Sequence, residues 1–409
     1  MYSLVVSLFL IMIVARWLGP SGQGAMAAAT AWASLFGTLG SLSLGQVAIH
    51  RATVRRGESW LAETLGTLLL LAVVVTALCW LVAVALLFFH GGATFKNIPS
   101  TALVVAFLLV PFIIWELYGS NLLMATDQLA IYNRAQLVGR TAALLMMFVC
   151  WRSRLGVVSA LGVSVISQAI VACMGLRKLF LLAGTRVRAT LSEARVLLGG
   201  ALRLHLNAVS SYVLTSLGVL IVNNYRSPAE TGWYQFSAAL LNVMMVIPAS
   251  ASLVLSVRVA QLGPDRAWAF QRKVMVYLPT VMIGASILAA VCAPFAIPLV
   301  VGAKYMPAVP VFRLSLIGLL GVTFSAIMSS QWIGRGYFLL MSMLSIGVAL
   351  IHLTASVLLV PRYGMYGAVY ANLITQTIAI FGNGTLALRC ERRFRADRAA
   401  ESNAVHKSL

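Results

Sequence analysis

Residues 13–24 read IVARWLGPSGQG, and residues 221–232 read IVNNYRSPAETG. Each runs from the end of an apolar stretch through a polar turn with one proline, Pro20 or Pro228, to a glycine, Gly24 or Gly232, that opens the next apolar stretch. The two glycines stand 208 positions apart in a chain of 409 residues. WRSRLGVVSALGVSVISQ at 151–168 and LVPRYGMYGAVYANLITQ at 359–376 keep the same offset, sharing an Arg, a Gly and a closing Gln. A looser pair, MATDQLAIY at 124–132 and IGRGYFLLM at 333–341, is offset by 209. Three matches near one offset predict a chain built of two copies of one unit.

Composition says what the unit is made of. Hydrophobic residues make up 61% of the chain and charged ones 10%, with a mean hydropathy of +0.93, whereas a soluble domain carries about 25% charged residues. The chain reads as an integral membrane protein, with loops too short to bury a core of their own. Runs of about 17–25 apolar residues predict spanning helices. Twelve such runs can be drawn, six to each copy, and six is even, so the copies enter the membrane in the same orientation. The expected fold is an all-α polytopic membrane protein, with two six-helix lobes related by a pseudo-twofold axis along the membrane normal. The lobes are expected at 1–182 and 201–388, with an amphipathic cytoplasmic linker at 183–200 and a basic tail at 389–409. The first run, Tyr2–Ala15, would rise only about 21 Å against a core about 30 Å thick. A helix whose start is missing is the expectation there.

The formal net charge is +20, from 30 Lys and Arg against 10 Asp and Glu. If both termini are cytoplasmic, twenty-one of the basic residues fall on inside connections and eight on outside ones. That asymmetry orients the chain by the positive-inside rule, so no nucleic-acid partner is needed to explain the charge. The linker AGTRVRATLSEARVLLGG spaces Val187, Leu191, Ala194 and Leu198 as one helical face. Thr190 and Glu193 fit a capping box, and the segment is expected to lie on the anionic inner leaflet. Pro111 and Pro248 interrupt the fourth and eighth runs, and Pro279, Pro294 and Pro298 predict a kinked or broken ninth helix. The five scattered cysteines suit apolar filling. No Walker loop, H-E-x-x-H or paired-carboxylate motif occurs, so the chain is expected to be no enzyme, with no cofactor and no metal.

With these features in place, ARWLGPSGQG followed by LGSLSLGQVAIHRA, the stretch ETGWYQFSAALLNVMMVIPASASLVLSVRVAQ, and PRYGMYGAVYANLITQ resemble the Wzx-type polysaccharide transporters. These belong to the multidrug/oligosaccharidyl-lipid/polysaccharide (MOP) superfamily. The resemblance covers nearly the whole chain in order. It implies a twelve-helix, MATE-like flippase of the bacterial cytoplasmic membrane that moves an undecaprenyl-diphosphate-linked oligosaccharide by alternating access, for O-antigen, capsule or exopolysaccharide assembly. Membrane lipids, a polysaccharide polymerase and chain-length machinery are the partners it implies. The chain departs from the family at Gln23, where many members have an aromatic residue, and at Gly218, where many have an acid. Other cargoes of the superfamily remain open, such as multidrug cations or a peptidoglycan precursor.

Such a substrate asks for a wet, basic cleft, and a charge at bilayer depth costs about 2.5–3.5 kcal/mol on insertion scales unless it has a cavity or partner. Arg140, in the fifth run, is the first candidate for the diphosphate, against an ion pair with Glu116 of the fourth. Arg203 and Asn207 share one face at the start of the seventh run and could line the cleft mouth, although Arg203 could equally snorkel to the headgroups. Arg51 and Arg258 hold corresponding places at the ends of the second and eighth runs and could flank the entrance, or act only as topology signals. His352, alone on an apolar helix, is a candidate proton carrier or a packed core residue.

Overall fold

A computed structural model describes residues 2–54, 59–90, 93–184 and 187–408, with side chains apart from those of 2–5, 53, 54, 59, 90, 202–204 and 397–408. Among the described residues the chain is all helix, without a strand. The elements are α1 (Tyr2–Ser41), α2 (Leu44–Val54), α3 (Ser59–His90), α4 (Ser100–Phe107), α5 (Val110–Ala125), α6 (Leu129–Arg152), α7 (Val157–Ala183) and α8 (Leu191–Thr215). They continue with α9 (Leu217–Tyr225), α10 (Pro228–Met244), α11 (Val246–Leu262), α12 (Pro264–Val301), α13 (Ala308–Gly334), α14 (Phe338–Tyr363) and α15 (Met365–Ser408). Among the described residues eight helical stretches are long and apolar enough to cross a membrane, and a ninth span counts if the bent pair α8–α9 is taken together. The twelve spans expected from apolar runs are not reached on length and composition alone.

Contacts gather the chain into two compact units, unit 1 from residues 1–235 with 300–304, and unit 2 from 236–299 with 305–409. In unit 1 the three repeated motifs fall on joints. Gly19 takes a left-handed φ of 66° and breaks α1 just before Pro20, and Arg226 is extended before Pro228 opens α10. Packing then brings these two joints together. A Cβ on Gly24 would overlap the Pro228 carbonyl, and one on Gly232 would overlap the Pro20 carbonyl. The same two residue types meet twice with their roles exchanged, and only glycine permits so close an approach. Asn97 reinforces the second joint by donating to the carbonyls of Asn223 at 2.8 Å and Arg226 at 2.9 Å.

Proline chemistry places the fourth-run break. Pro111 has no N–H, so the Phe107 carbonyl four residues earlier loses its helical donor, and α4 gives way to α5 at Leu108–Leu109. The indole Nε1 of Trp80 donates to that carbonyl at 2.9 Å. Phe107 also joins an aromatic chain with Phe36, Phe95 and Trp32, with edge-on ring centroids 4.9–6.1 Å apart. In unit 2, Pro248 has the same effect: α10 ends at Met244, its residue i−4, and α11 begins at Val246.

Two expectations for single elements change. The segment at 183–200 is no separate surface helix: 187–190 are non-helical, and α8 runs from Leu191 unbroken into the seventh span. Thr190 does cap it, accepting from Glu193 N at 3.4 Å. The seventh span is instead bent by 48° at Ser216, between α8 and α9. α12 passes Pro279, Pro294 and Pro298 as one unbroken helix, so of the kinked or broken helix expected there the break does not occur. In an apolar medium, opening the backbone further would strand more polar groups than the prolines already do.

Candidate functional site

One set of polar groups held among the apolar helices of unit 1 gathers where α5, α6 and α7 pack. Tyr132, Gln136 and Arg140 follow one another at four-residue intervals on α6 and so share a face. Glu116 of α5 meets that face half-buried. Its Oε1 accepts from the Tyr132 hydroxyl at 2.9 Å and from Gln136 Nε2, and its Oε2 accepts from Gln168 Nε2 of α7 at 2.8 Å. Gln136 Nε2 also donates to the Tyr132 oxygen at 3.1 Å. Both carboxylate oxygens are therefore occupied by neutral donors, which is what a charge withdrawn from water requires. The ion pair with Arg140 weighed from sequence is not among these bonds. Arg140, one turn beyond Gln136, donates from Nη1 to Ser7 Oγ of α1 at 3.3 Å.

The other candidates lie apart from this cluster. Arg51 is committed to a buried ion pair: its Nε and Nη2 donate to Glu193 Oε1 and Oε2 at 3.1 and 2.6 Å. Thr64 adds a third bond to that carboxylate at 3.0 Å. The hydrogen bond to Glu193 holds the Arg51 guanidinium above its ordinary pKa. Its counterpart Arg258 is exposed in unit 2 and lies 4.9 Å over the ring of Phe270. Asn207 is exposed on α8, and the side chain of Arg203 lies outside the described residues. His352 is 2% exposed in α14, with Nδ1 3.2 Å from Thr375 Oγ1. Because the Thr375 hydroxyl donates to the Ala371 carbonyl at 2.6 Å, Nδ1–H is the donor to Thr375.

Sequence reasoning missed Tyr132 and Gln136, although their spacing to Arg140 was the available signal. It also missed the buried network of unit 2, in which Gln331 Nε2 donates to Gln271 Oε1 at 2.9 Å and to the Pro264 carbonyl at 3.1 Å. Nearby, Trp332 Nε1 donates to Asn383 Oδ1 at 2.7 Å.

No family profile matches the sequence, and no curated protein matches it. Solved structures match over nearly the full length. An inward-facing multidrug resistance MATE family transporter of the MOP superfamily aligns with a TM-score of 0.76 at 16% identity, over 95% of this chain and 96% of that one. The lipid II flippase MurJ, in an inward closed conformation, gives 0.73 at 13% identity over 93% and 85%. A MOP superfamily transporter from Pyrococcus furiosus, with a binding pocket of reversed polarity, gives 0.62 at 16% identity over 95% and 96%. The fold of this chain is the one shared by the MATE transporters and the MurJ flippase.

Proposed function

We propose that the chain is a flippase carrying an undecaprenyl-diphosphate-linked oligosaccharide from the cytoplasmic to the periplasmic leaflet by alternating access. It would serve O-antigen, capsule or exopolysaccharide export, from the bacterial inner membrane and with both termini in the cytoplasm. The observation that carries this reading is the chemistry of the α5–α7 cluster. Both oxygens of its one carboxylate are occupied by neutral donors, and Arg140 shares the α6 face with a tyrosine and an amide. Hydroxyls and amides suit sugar, and a guanidinium suits phosphate, whereas capture of a cation calls for an open carboxylate. Likeness to a protein described as a lipid II flippase agrees with a lipid-linked cargo.

A second reading, a multidrug or ion antiporter or a peptidoglycan-precursor flippase, draws on Glu116 and on the MATE and MurJ neighbours. The test is a strain that synthesises the lipid-linked glycan but lacks its own flippase. Expression of this chain is expected to restore surface glycan. Arg140→Ala is expected to lower export by about tenfold or more at unchanged membrane abundance, the scale of one charge-assisted hydrogen bond. Resistance to toxic cations without surface glycan would overturn the flippase reading.

A further inference from the structure

Where α13 gives way to α14, and α15 leaves its apolar stretch, unit 2 holds a cavity of about 190 Å³ lined by four arginines. Arg335 comes from the α13–α14 turn. Arg389, Arg392 and Arg393 come from α15, and their i, i+3, i+4 spacing sets them on one helical face. Tyr337, Leu386 and Cys390 complete the wall.

One side of this cavity is fixed. The Arg335 side chain is 5% exposed, and it donates from Nη2 to Asp265 Oδ1 at 2.6 Å and from Nε to Gln331 Oε1 at 3.0 Å. Gln331 is itself fully buried and tied to Gln271. Tyr337 stands edge-on against Trp332 with ring centroids 6.4 Å apart. Two of the three Arg335 nitrogens are thus spent on holding the side chain against α12 and α13.

The nearby carboxylates with described side chains are already engaged. Asp265 is paired with Arg335, and Glu391 accepts from Trp268 at 3.0 Å, Arg272 at 3.2 Å and Arg395 at 3.0 Å. Among the described residues, Arg389, Arg392 and Arg393 make no ion pair. Like charges repel unless an anion lies between them. Arg389, Arg392 and Arg393 are exposed along one side of a half-open cavity, and the fixed Arg335 forms the other side; a topology signal asks for positive charge but not for a shared space. The volume equals about six waters at about 30 Å³ each, enough for a tetrahedral oxyanion and part of its shell. Guanidinium forks match phosphate oxygens two at a time.

We propose that this cavity is a phosphate-binding site, taking the phosphate of an anionic phospholipid headgroup or free inorganic phosphate. Occupancy ties α15 to the α13–α14 turn. The proposal stands independently of the transported cargo.

The test uses the purified full-length protein in phosphatidylcholine nanodiscs, with hydrogen exchange read over 335–337 and 386–396. Inorganic phosphate is added in one arm, against chloride at equal ionic strength, and phosphatidylglycerol replaces part of the lipid in the other. Exchange in these segments is expected to slow by about tenfold or more in at least one arm, the scale of one or two charge-assisted bonds. Slowing by phosphate alone identifies the free anion as sufficient, and slowing only by phosphatidylglycerol identifies the headgroup. Arg389→Gln, Arg392→Gln and Arg393→Gln together should abolish the effect, while the charge-matched set Arg177→Gln, Lys178→Gln and Arg195→Gln retains it. If the first set folds poorly, the wild-type arms decide. Unchanged exchange with both phosphate sources overturns the proposal, as does equal protection in a folded triple variant.

Discussion

Arg51 and Arg258 occupy matching places in the two sequence copies, yet one is locked to a buried carboxylate and the other lies on an aromatic ring. Local position made Arg51 legible as a cation just past the end of an apolar run. Its partner, 142 residues away, was not, because spacing rules see one helix turn and not which helix will pack beside it. The capping box shows the same limit. Thr190 receives the Glu193 N–H as the motif predicts, but the Glu193 side chain reaches across to Arg51 and Thr64 instead of back to Thr190. Removing one side of a buried pair takes a bidentate counter-charge away from the other. Arg51→Ala is therefore expected to destabilise the protein by about 3–5 kcal/mol. The double change Arg51→Met with Glu193→Met is expected to cost much less. Thermal unfolding of the detergent-solubilised variants measures both, and equal losses would show that the charge left behind carries no penalty of its own.

At the scale of elements, glycine and proline carried most of what could be read in advance. All three repeated motifs mark joints between helices, because a missing N–H or a positive φ acts on the backbone before any packing partner is chosen. The sequence shows that the fourth run must break near Pro111. It does not show that an indole from α3 satisfies the stranded carbonyl. Trp80→Phe keeps the ring but removes that donor, and a loss of about 1–3 kcal/mol is expected, readable as a lowered melting temperature. Gly24→Ala and Gly232→Ala each drive a methyl into a carbonyl of the opposite joint. Each is expected to cost about 1–3 kcal/mol or more and to lower glycan export in the flippase-deficient strain. A variant that melts and exports like the parent would show that the joints can part without loss. The bend at Ser216 escaped notice, since Thr215, Ser216 and Gly218 are weak helix formers with no proline among them.

For the whole molecule, composition and internal repetition were enough to predict an all-helical membrane fold, the resemblance to polysaccharide transporters made it MATE-like, and the structural likeness supports that fold. The candidate site was less legible. Arg140 and Glu116 were visible as charges at depth, but the choice between pairing with each other and pairing with Tyr132, Gln136, Gln168 and Ser7 depends on how α1, α5, α6 and α7 rotate against one another. The distribution of positive charge makes one further prediction. A fluorescent reporter joined after Leu409 is expected to be fully bright, as a cytoplasmic fusion is, while alkaline phosphatase at the same point stays inactive. The reverse pair of results would invert the topology.

The seam at Pro20, Gly24, Pro228 and Gly232 is isologous, the form of contact that identical subunits make across a twofold axis, each offering the other the same patch. A substitution at one glycine therefore disturbs one of two equivalent contacts and leaves the other in place.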